Sequence, residues 1–378
     1  MGKIQMVDLL GQYKHIQEEI DQAVLEVIRS SAYIGGPEVK AFQSELEEYL
    51  NVKHVIPCGN GTDALQIAMM ALGLQPGDEV IAPNFTFVAT VEVIALLGLK
   101  PILVDVDPRT FNIDLESARK AVTPRTKAIV PVHLFGQCAD MEPLLAFARE
   151  HDLKVVEDSA QAISSQYTFS DGRTMKAGTM GDFGTTSFFP SKNLGCYGDG
   201  GALYTNDDNL AAMAREVANH GMKVRYYHSS VGVNSRLDSI QAAILRIKLR
   251  HLDAYCDARI AAADAYDAAF ADTPALLTPL RVANSTHTFH QYTLITRGVD
   301  RDAVRQALMD QGIPAMVYYP VPLHAQEAYR SDRYADADFP VTMALSHSVM
   351  SLPMHTELTS DQLAHITDAV LTQLHQTA

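Results

Sequence analysis

From about residue 54 onward this chain alternates short, uninterrupted apolar stretches with helical patterns, and no other feature constrains its fold as strongly. His54–Pro57 reads as a strand, and Thr62–Leu74 as an apolar helix that Gln75-Pro76-Gly77-Asp78 stops with a turn. Glu79–Pro83 (strand), Thr86–Leu97 (helix) and Pro101–Val106 (strand) follow. Next come Leu115–Val122 (helix, with Asp114 as N-cap), Lys127–Leu134 (strand), Met141–His151 (helix) and Lys154–Asp158 (strand). The strands are continuously apolar rather than alternating, as strands buried on both faces are. Strand–helix alternation with such strands predicts an α/β fold built on a large, mostly parallel sheet covered by helices. Ligands of such sheets bind at the carboxyl ends of the strands, and Asp158 stands at one of those ends.

After Asn234 the pattern changes. Leu237–Asp264 reads as one long amphipathic helix. Strand-like Gln291–Ile295, a helix at Arg301–Gln311, a Tyr/Pro-rich loop at 318–324 and a helix at Ser360–Leu374 suggest a smaller α/β unit. The expected division is a large domain over 1–250 and a small one over 251–378. With 378 residues the chain is long enough for both.

Acidic residues outnumber basic ones by 45 to 30, a net charge of −15. That excludes nucleic-acid binding through a broad basic surface, while leaving room for a local anion site. The N-terminal MGKIQMVDLLGQY lacks a leader's apolar core, and the apolar run Val91–Val106 is broken by Glu92, Lys100 and Pro101. A cytoplasmic protein without a membrane span is expected. Cys58, Cys138, Cys196 and Cys256 form no C-x-x-C pair and stand beside no histidine cluster, so neither a metal site nor a disulfide framework is expected.

Three motifs carry chemistry. Gly59-Asn60-Gly61-Thr62-Asp63-Ala64 joins a strand to a helix, where backbone N–H groups and the helix dipole hold a phosphate. It also fits the loose G-x-G-x-x-G/A pattern, but the next strand ends in Asn84 rather than the acid a dinucleotide ribose needs. A ligand-free turn is the competing reading. Glu157-Asp158-Ser159-Ala160-Gln161 ends a strand, and by itself suits a helix cap as well as a cofactor contact. The third is Ser187-Phe188-Phe189-Pro190-Ser191-Lys192-Asn193-Leu194-Gly195-Cys196-Tyr197-Gly198-Asp199-Gly200-Gly201. A lysine is ordinarily solvated; one set among aromatics, a proline and glycines is partly desolvated, which lowers its pKa and frees a nucleophilic amine. Met69 and Met70 read as core, His133 and Cys138 as packing or lining, and His220 with Tyr226-Tyr227-His228 as surface or site entrance.

Phosphate loop, strand-end acid and later lysine, in this order, resemble the DegT/DnrJ/EryC1/StrS sugar aminotransferases, which are pyridoxal-phosphate enzymes of fold type I. The resemblance runs from Tyr33-Ile34-Gly35-Gly36-Pro37-Glu38 to Tyr319-Pro320-Val321-Pro322-Leu323-His324, and S-F-F-P-S-K-N-L-G is its most specific string. It implies that Lys192 carries pyridoxal phosphate as a Schiff base and that Asp158 pairs with the pyridine nitrogen. Gln161 would lie near the phenolic oxygen, Gly61, Thr62 and Ser187 on the phosphate, and Phe87 against the ring. Asn234 resembles the residue a partner subunit adds to the phosphate, so a homodimer with shared sites is implied. Arg236, Tyr318, Tyr319 and His324 are the expected substrate contacts. The family's dehydratases carry histidine where this chain has Lys192, and its regulators add a DNA-binding module for which this chain has no room.

The substrate implied is a keto-sugar nucleotide, with L-glutamate as amino donor. Relatives that aminate C4 read T-G-E-G-G after the lysine, whereas Leu194-Gly195-Cys196-Tyr197-Gly198-Asp199-Gly200-Gly201 resembles the C3 branch. Within it, L-G-C-Y-G-D-G-G-A and V-G-V-N-S-R-L-D resemble enzymes that aminate UDP-2-acetamido-2-deoxy-3-oxo-glucuronate for bacterial surface polysaccharide, including lipopolysaccharide. That branch reads His-Tyr-Pro where this chain has Tyr318-Tyr319-Pro320, so a neutral dTDP-3-keto-6-deoxyhexose is the alternative.

Overall fold

The computed structural model describes residues 4–377, with side chains to residue 374. Met1 to Lys3, the start of the stretch read for a leader, lie outside the described residues. The expected alternation folds into a seven-stranded sheet: β1 (His54–Cys58), β2 (Glu79–Pro83), β3 (Lys100–Val104), β4 (Thr126–Ile129), β5 (Lys154–Asp158), β6 (Phe183–Ser187) and β7 (Gly201–Thr205). Their order is β1-β7-β6-β5-β4-β2-β3. Pairing is parallel from β6 through β5, β4 and β2 to β3; β7 alone runs the other way, between β1 and β6. Both β2 and β7 are buried along their whole length, as the unbroken apolar runs require.

Helices Gly61–Ala71, Ala89–Leu96 and Asp208–Ala218 cover one side of the sheet in a core that contains Leu65, Ile67, Met69, Val91 and Ile94. Met69 is fully buried, and Met70 packs against the same core. Helix Met141–Glu150 closes a second core with Ile81, Ile102, Ile129 and Phe147. Asp114 caps helix Leu115–Ala121 by accepting the Glu116 and Ser117 amides, as expected.

Three expected elements end differently. The strand drawn over Lys127–Leu134 stops at Ile129, and a turn of 3-10 helix follows at Leu134–Gly136. Pro131 has no N–H to extend the ladder. Helix Thr86–Leu97 begins only at Ala89, leaving Phe85–Val88 in the turn above β2. The single helix expected over Leu237–Asp264 is two, Ser239–Arg250 and Leu252–Phe270, broken at His251. The second piece spans two cores, since Leu252 and Cys256 still pack in the core of the first piece. Ala242, Leu245 and Leu249 pack with Phe42, Leu46 and Tyr204, whereas Ala262, Tyr266 and Phe270 pack with Tyr292, Leu294 and Val370.

That last core belongs to a small antiparallel sheet of β8 (Leu276–Leu277), β9 (Tyr292–Thr296) and β10 (Val349–Leu352), flanked by helices Arg301–Asp310 and Ser360–Thr377. Ile4 joins it from the other end of the chain, and Leu323 and Phe339 reach back into the large-sheet core. The crossings bring the 318–339 loops over the carboxyl edge of the sheet, where Leu323 N–H donates to the Asn84 carbonyl.

Candidate active site

Asp158 ends β5 at the centre of the carboxyl edge. The strand's pleat separates the two acids of the Glu157-Asp158 pair. Glu157 turns into the interior and accepts the Gly178, Met180 and Gly181 amides and a hydrogen bond from His133 Nε2 at 2.8 Å. His133 Nδ1 accepts the Ala139 amide at 3.0 Å, so Nε2 carries the ring proton. Glu157 and His133 are structural, and neither faces the site. Asp158 faces the edge, with Oδ2 accepting from Thr90 Oγ1 at 2.8 Å and Oδ1 from the Ala160 amide at 3.2 Å. Two donors fix its plane and leave lone pairs for one more.

Lys192 hangs from the loop that follows β6. That loop is braced by Lys192 N–H to the Phe189 carbonyl at 2.8 Å and Cys196 N–H to the Phe188 carbonyl at 2.8 Å. Phe188 is buried against Phe42 as anchor, while Phe189 is exposed. Gly195 permits the tight bend, since a Cβ there would lie 2.3 Å from the Pro190 carbonyl oxygen. Burial depresses the Lys192 ammonium to about 8, against a weaker upward pull from the Asp158 carboxylate. At pH 7 such a lysine is about one-tenth free amine, against roughly one in three thousand for an ordinary lysine.

The phosphate loop lies beside this pair. Asn60 caps helix Gly61–Ala71, its Oδ1 accepting the Asp63 amide at 2.8 Å while its carbonyl takes the Ala64 amide. The Gly61 and Thr62 amides remain the open donors of the helix end. Gly61 packs on Ser187, where a Cβ would come within 2.7 Å of the serine Cβ, so the three expected phosphate residues share one corner. Among the described residues Ser187 Oγ accepts only the Phe189 amide, at 3.2 Å.

Gln161 links two walls, its Oε1 accepting the Phe135 amide at 2.7 Å and its Nε2 donating to the Tyr319 hydroxyl at 3.1 Å. Phe135 adopts a left-handed backbone, φ 58°, at this bond. The Tyr319 ring meets Phe85 edge-on at 5.9 Å and Phe87 at 6.3 Å; Phe87 is 55% exposed, with an open face. Burial, and Asp158 nearby, hold the Tyr319 phenol protonated by pushing its pKa up. Tyr318 packs on Tyr319 at 6.0 Å and is half-buried.

His324, expected to touch substrate, is instead committed inside the chain. Its Nδ1 meets Asn84 Nδ2 at 2.7 Å, its Nε2 meets Asp336 Oδ1 at 3.0 Å, and its ring lies on Phe339. These contacts pin the 318–324 loop to the end of β2. Arg236 and Asn234 are exposed, on a segment whose alternate residues Ser235 and Leu237 are buried. Ser235 Oγ accepts the Gly59 amide at 2.9 Å and donates to Asp63 Oδ2 at 2.6 Å. Asn234 and Arg236 therefore point away from their own core, and Arg236 enters no ion pair among the described residues. Val224, Tyr226, Tyr227 and Val231, on and after the neighbouring hairpin, are exposed too.

Two residues escaped the sequence reading. Thr90, in the first turn of its helix, orients Asp158, and Ser235 ties the 233–238 segment to the phosphate loop. A hydroxyl in an apolar helix is a weak signal. Only the fold brings Thr90, 68 residues away in sequence, to Asp158.

An acid and a depressed lysine at a sheet's carboxyl edge, with open helix-end amides, an aromatic face and a bridging amide, suit a phosphorylated aromatic aldehyde held as an imine. The residues present thus fit pyridoxal phosphate: carboxylate for a ring N–H, amides for its phosphate, amine for its aldehyde. No group of three or more metal-ligating side chains occurs among the described residues.

Comparison with known proteins agrees with this chemistry. The sequence profile described as the DegT/DnrJ/EryC1/StrS aminotransferase family matches residues 14–371. The chain is 45% identical to a pleiotropic regulatory protein of Geobacillus stearothermophilus, over 97% of each chain. It is 45% identical to UDP-2-acetamido-2-deoxy-3-oxo-D-glucuronate aminotransferase of Pseudomonas aeruginosa, over 94% of this chain and 96% of that one. A dTDP-3-amino-3,4,6-trideoxy-alpha-D-glucose transaminase of Streptomyces venezuelae is 38% identical over 97% and 95%. Among solved structures, S. venezuelae DesV in complex with a ketimine intermediate superposes with a TM-score of 0.93, 37% identity and 98% coverage of both chains.

Proposed function

Because the chain belongs to the DegT/DnrJ/EryC1/StrS aminotransferase family and is a pyridoxal-phosphate-dependent sugar aminotransferase, we propose that it transfers the amino group of L-glutamate to C3 of UDP-2-acetamido-2-deoxy-3-oxo-glucuronate. The observation that carries the reading is Lys192, a half-buried amine depressed to about 8 by desolvation and attracted by the Asp158 carboxylate. Pyridoxal phosphate supplies the aldehyde that takes the amino group and the ring that delocalises the carbanion.

In this reading Lys192 bears the cofactor and, when released, moves the proton at the substrate carbon; such a positioned base typically contributes about 10²–10⁴-fold. Asp158, oriented by Thr90 and the Ala160 amide, keeps the ring nitrogen protonated. Gly61, Thr62 and Ser187 hold the phosphate, Phe87 lies on the ring, and Gln161 contacts the phenolic side while holding Tyr319. Tyr318 and Tyr319 line the sugar side. Two chains assemble as a cytoplasmic homodimer in which Asn234 and Arg236 of one protomer complete the site of its partner. The outward aim of both side chains supports this. So does the exposed aromatic hairpin, since large apolar side chains left in solvent mark association surfaces. The product serves surface-polysaccharide synthesis.

The shared site has a direct test. Lys192→Ala and Asn234→Ala homodimers are each expected to be inactive or weak. Mixed under exchange conditions, half of randomly paired dimers are hybrids with one intact site in two, so about a quarter of wild-type activity should return. Confirmed exchange without recovery would show that each site is built from one chain.

The uronate reading rests on Arg236 and the similarity to the Pseudomonas enzyme. An uncommitted guanidinium grips a carboxylate through two parallel hydrogen bonds. At about 1.5–3 kcal/mol for a charge-assisted bond, even one of the two gives roughly tenfold to 150-fold preference. Arg236→Ala should lose that much kcat/KM on the UDP-3-oxo-uronate and change little on a neutral dTDP-3-keto-6-deoxyhexose. Equal losses on both would assign Arg236 to the nucleotide phosphates or the subunit interface. A wild type that works only on the neutral sugar would favour the alternative, which the dTDP-sugar relative and Tyr318 support.

A further inference from the structure

His290 lies two residues before β9, outside every motif read from the sequence, and is 7% exposed. Its Nδ1 is sealed in the interior without a hydrogen-bond partner. Buried polar atoms are nearly always paired, so an orphan on the segment that packs against the lysine loop calls for an occupant. The backbone holds this ring close to the lysine loop. Asn193 Nδ2, on the residue after Lys192, donates to the Thr288 carbonyl at 3.1 Å. Arg259 Nη1 donates to the Phe289 and His290 carbonyls at 3.2 and 3.3 Å. Lys192 is the charged group that acts most on the ring, ahead of Arg259. Lys192 feels burial and the attraction of the Asp158 carboxylate, and makes no side-chain hydrogen bond among the described residues.

We propose that His290 is a positioning residue for Lys192, its free ring nitrogen receiving the ε-amino group whenever that group is not bonded to the cofactor. The proposal rests on the reading of Lys192 as the cofactor lysine. A released lysine on a flexible four-carbon stem must stay over the substrate carbon to act as a base. Asp158 competes for it, and a carboxylate would draw a proton onto the amine and end its use as a base. A neutral imidazole offers a hydrogen bond without charge. Burial and the charges of Lys192 and Arg259 push the His290 pKa well below the ordinary histidine value, so the ring stays neutral.

The test compares wild type with His290→Phe, which keeps an aromatic ring without nitrogen, and His290→Gln, which returns a polar partner. Two readouts are taken: the rate at which chain stripped of pyridoxal phosphate takes it up between pH 6 and 10, and kcat and KM of the loaded enzyme. Wild-type uptake should rise with pH and level above about 8, where Lys192 is free amine. His290→Phe should be at least tenfold slower on that plateau and in kcat, with KM and melting temperature unchanged. His290→Gln should recover most of the loss. Plateau uptake and kcat of His290→Phe within twofold of wild type would overturn the proposal, as would an equal loss in His290→Gln. Should His290→Phe not fold, His290→Ala is assayed with added imidazole: restored uptake supports the proposal and none overturns it. Borohydride trapping of wild type separates the layers. Label on a lysine other than 192 removes the underlying reading and the proposal with it, whereas label on Lys192 with a normal His290→Phe enzyme removes the proposal alone.

Discussion

Lys192→Ala is expected to lose at least about a thousandfold in turnover while still binding pyridoxal phosphate, because it removes both the covalent anchor and the base that moves the substrate proton. The phosphate corner at Gly61, Thr62 and Ser187 and the Asp158 carboxylate stay in place, so cofactor should co-purify without its Schiff-base absorbance. Borohydride reduction and peptide mapping of wild type should find the phosphopyridoxyl group on Lys192. Neighbouring lysines are poorly placed to substitute. Lys176 lies 3.4 Å above the Tyr49 ring, and Lys223 pairs with Glu216 at 3.2 Å. Label on either, or a Lys192→Ala enzyme at a tenth of wild-type rate, would end the assignment.

Asp158→Ala should be nearly as damaging to catalysis and far less so to the fold. Without the carboxylate the pyridine nitrogen loses its proton, and the ring no longer draws charge from the carbanion. Each pKa unit corresponds to about 1.4 kcal/mol, so a shift of several units lowers the rate by orders of magnitude. The structural loss is limited to hydrogen bonds from Thr90 and the Ala160 amide. At about 1–3 kcal/mol for an unpaired buried group, it lies below the usual 5–15 kcal/mol of folding stability. Asp158→Asn keeps an acceptor for Thr90 but no charge for the ring, and should lose at least a hundredfold with a melting temperature close to wild type. Half-normal activity in Asp158→Ala would refute the role. A normal rate in Asp158→Asn would show that the acceptor, not the charge, matters.

Much of this was legible in residue order. Continuous apolar runs between helices encode buried parallel strands, and all five predicted strands of the large sheet up to Asp158 occur with small shifts at their ends. A strand's end, a glycine-rich helix start and a lysine between aromatics are local patterns that single out Asp158, Gly61, Thr62 and Lys192 as candidates, and the family resemblance gave them their expected roles. The extra reach given to the strand after Lys127 and to the helix after Leu237 does not occur in the fold. One strand ends at Ile129, two residues ahead of Pro131, and one helix breaks at His251, its second piece running from the first core into another.

Tertiary structure alone decided which neighbour does what. Glu157 and Asp158 are chemically alike, but the pleat sends one to His133 and three buried amides and the other to the sheet edge. His324 and Tyr319 lie in one short motif, yet chain crossing ties His324 to Asn84 and Asp336 and brings Tyr319 to Gln161. The desolvation that lowers the Lys192 pKa, and the orphan nitrogen of His290, arise only in the folded chain. The sequence by itself determined which groups this protein owns and which elements carry them, since backbone propensity and hydrophobic period are local. Their partners, burial and acidity were decided only when the sheet, the lysine loop and the small unit closed on one another, since those properties depend on distance in space.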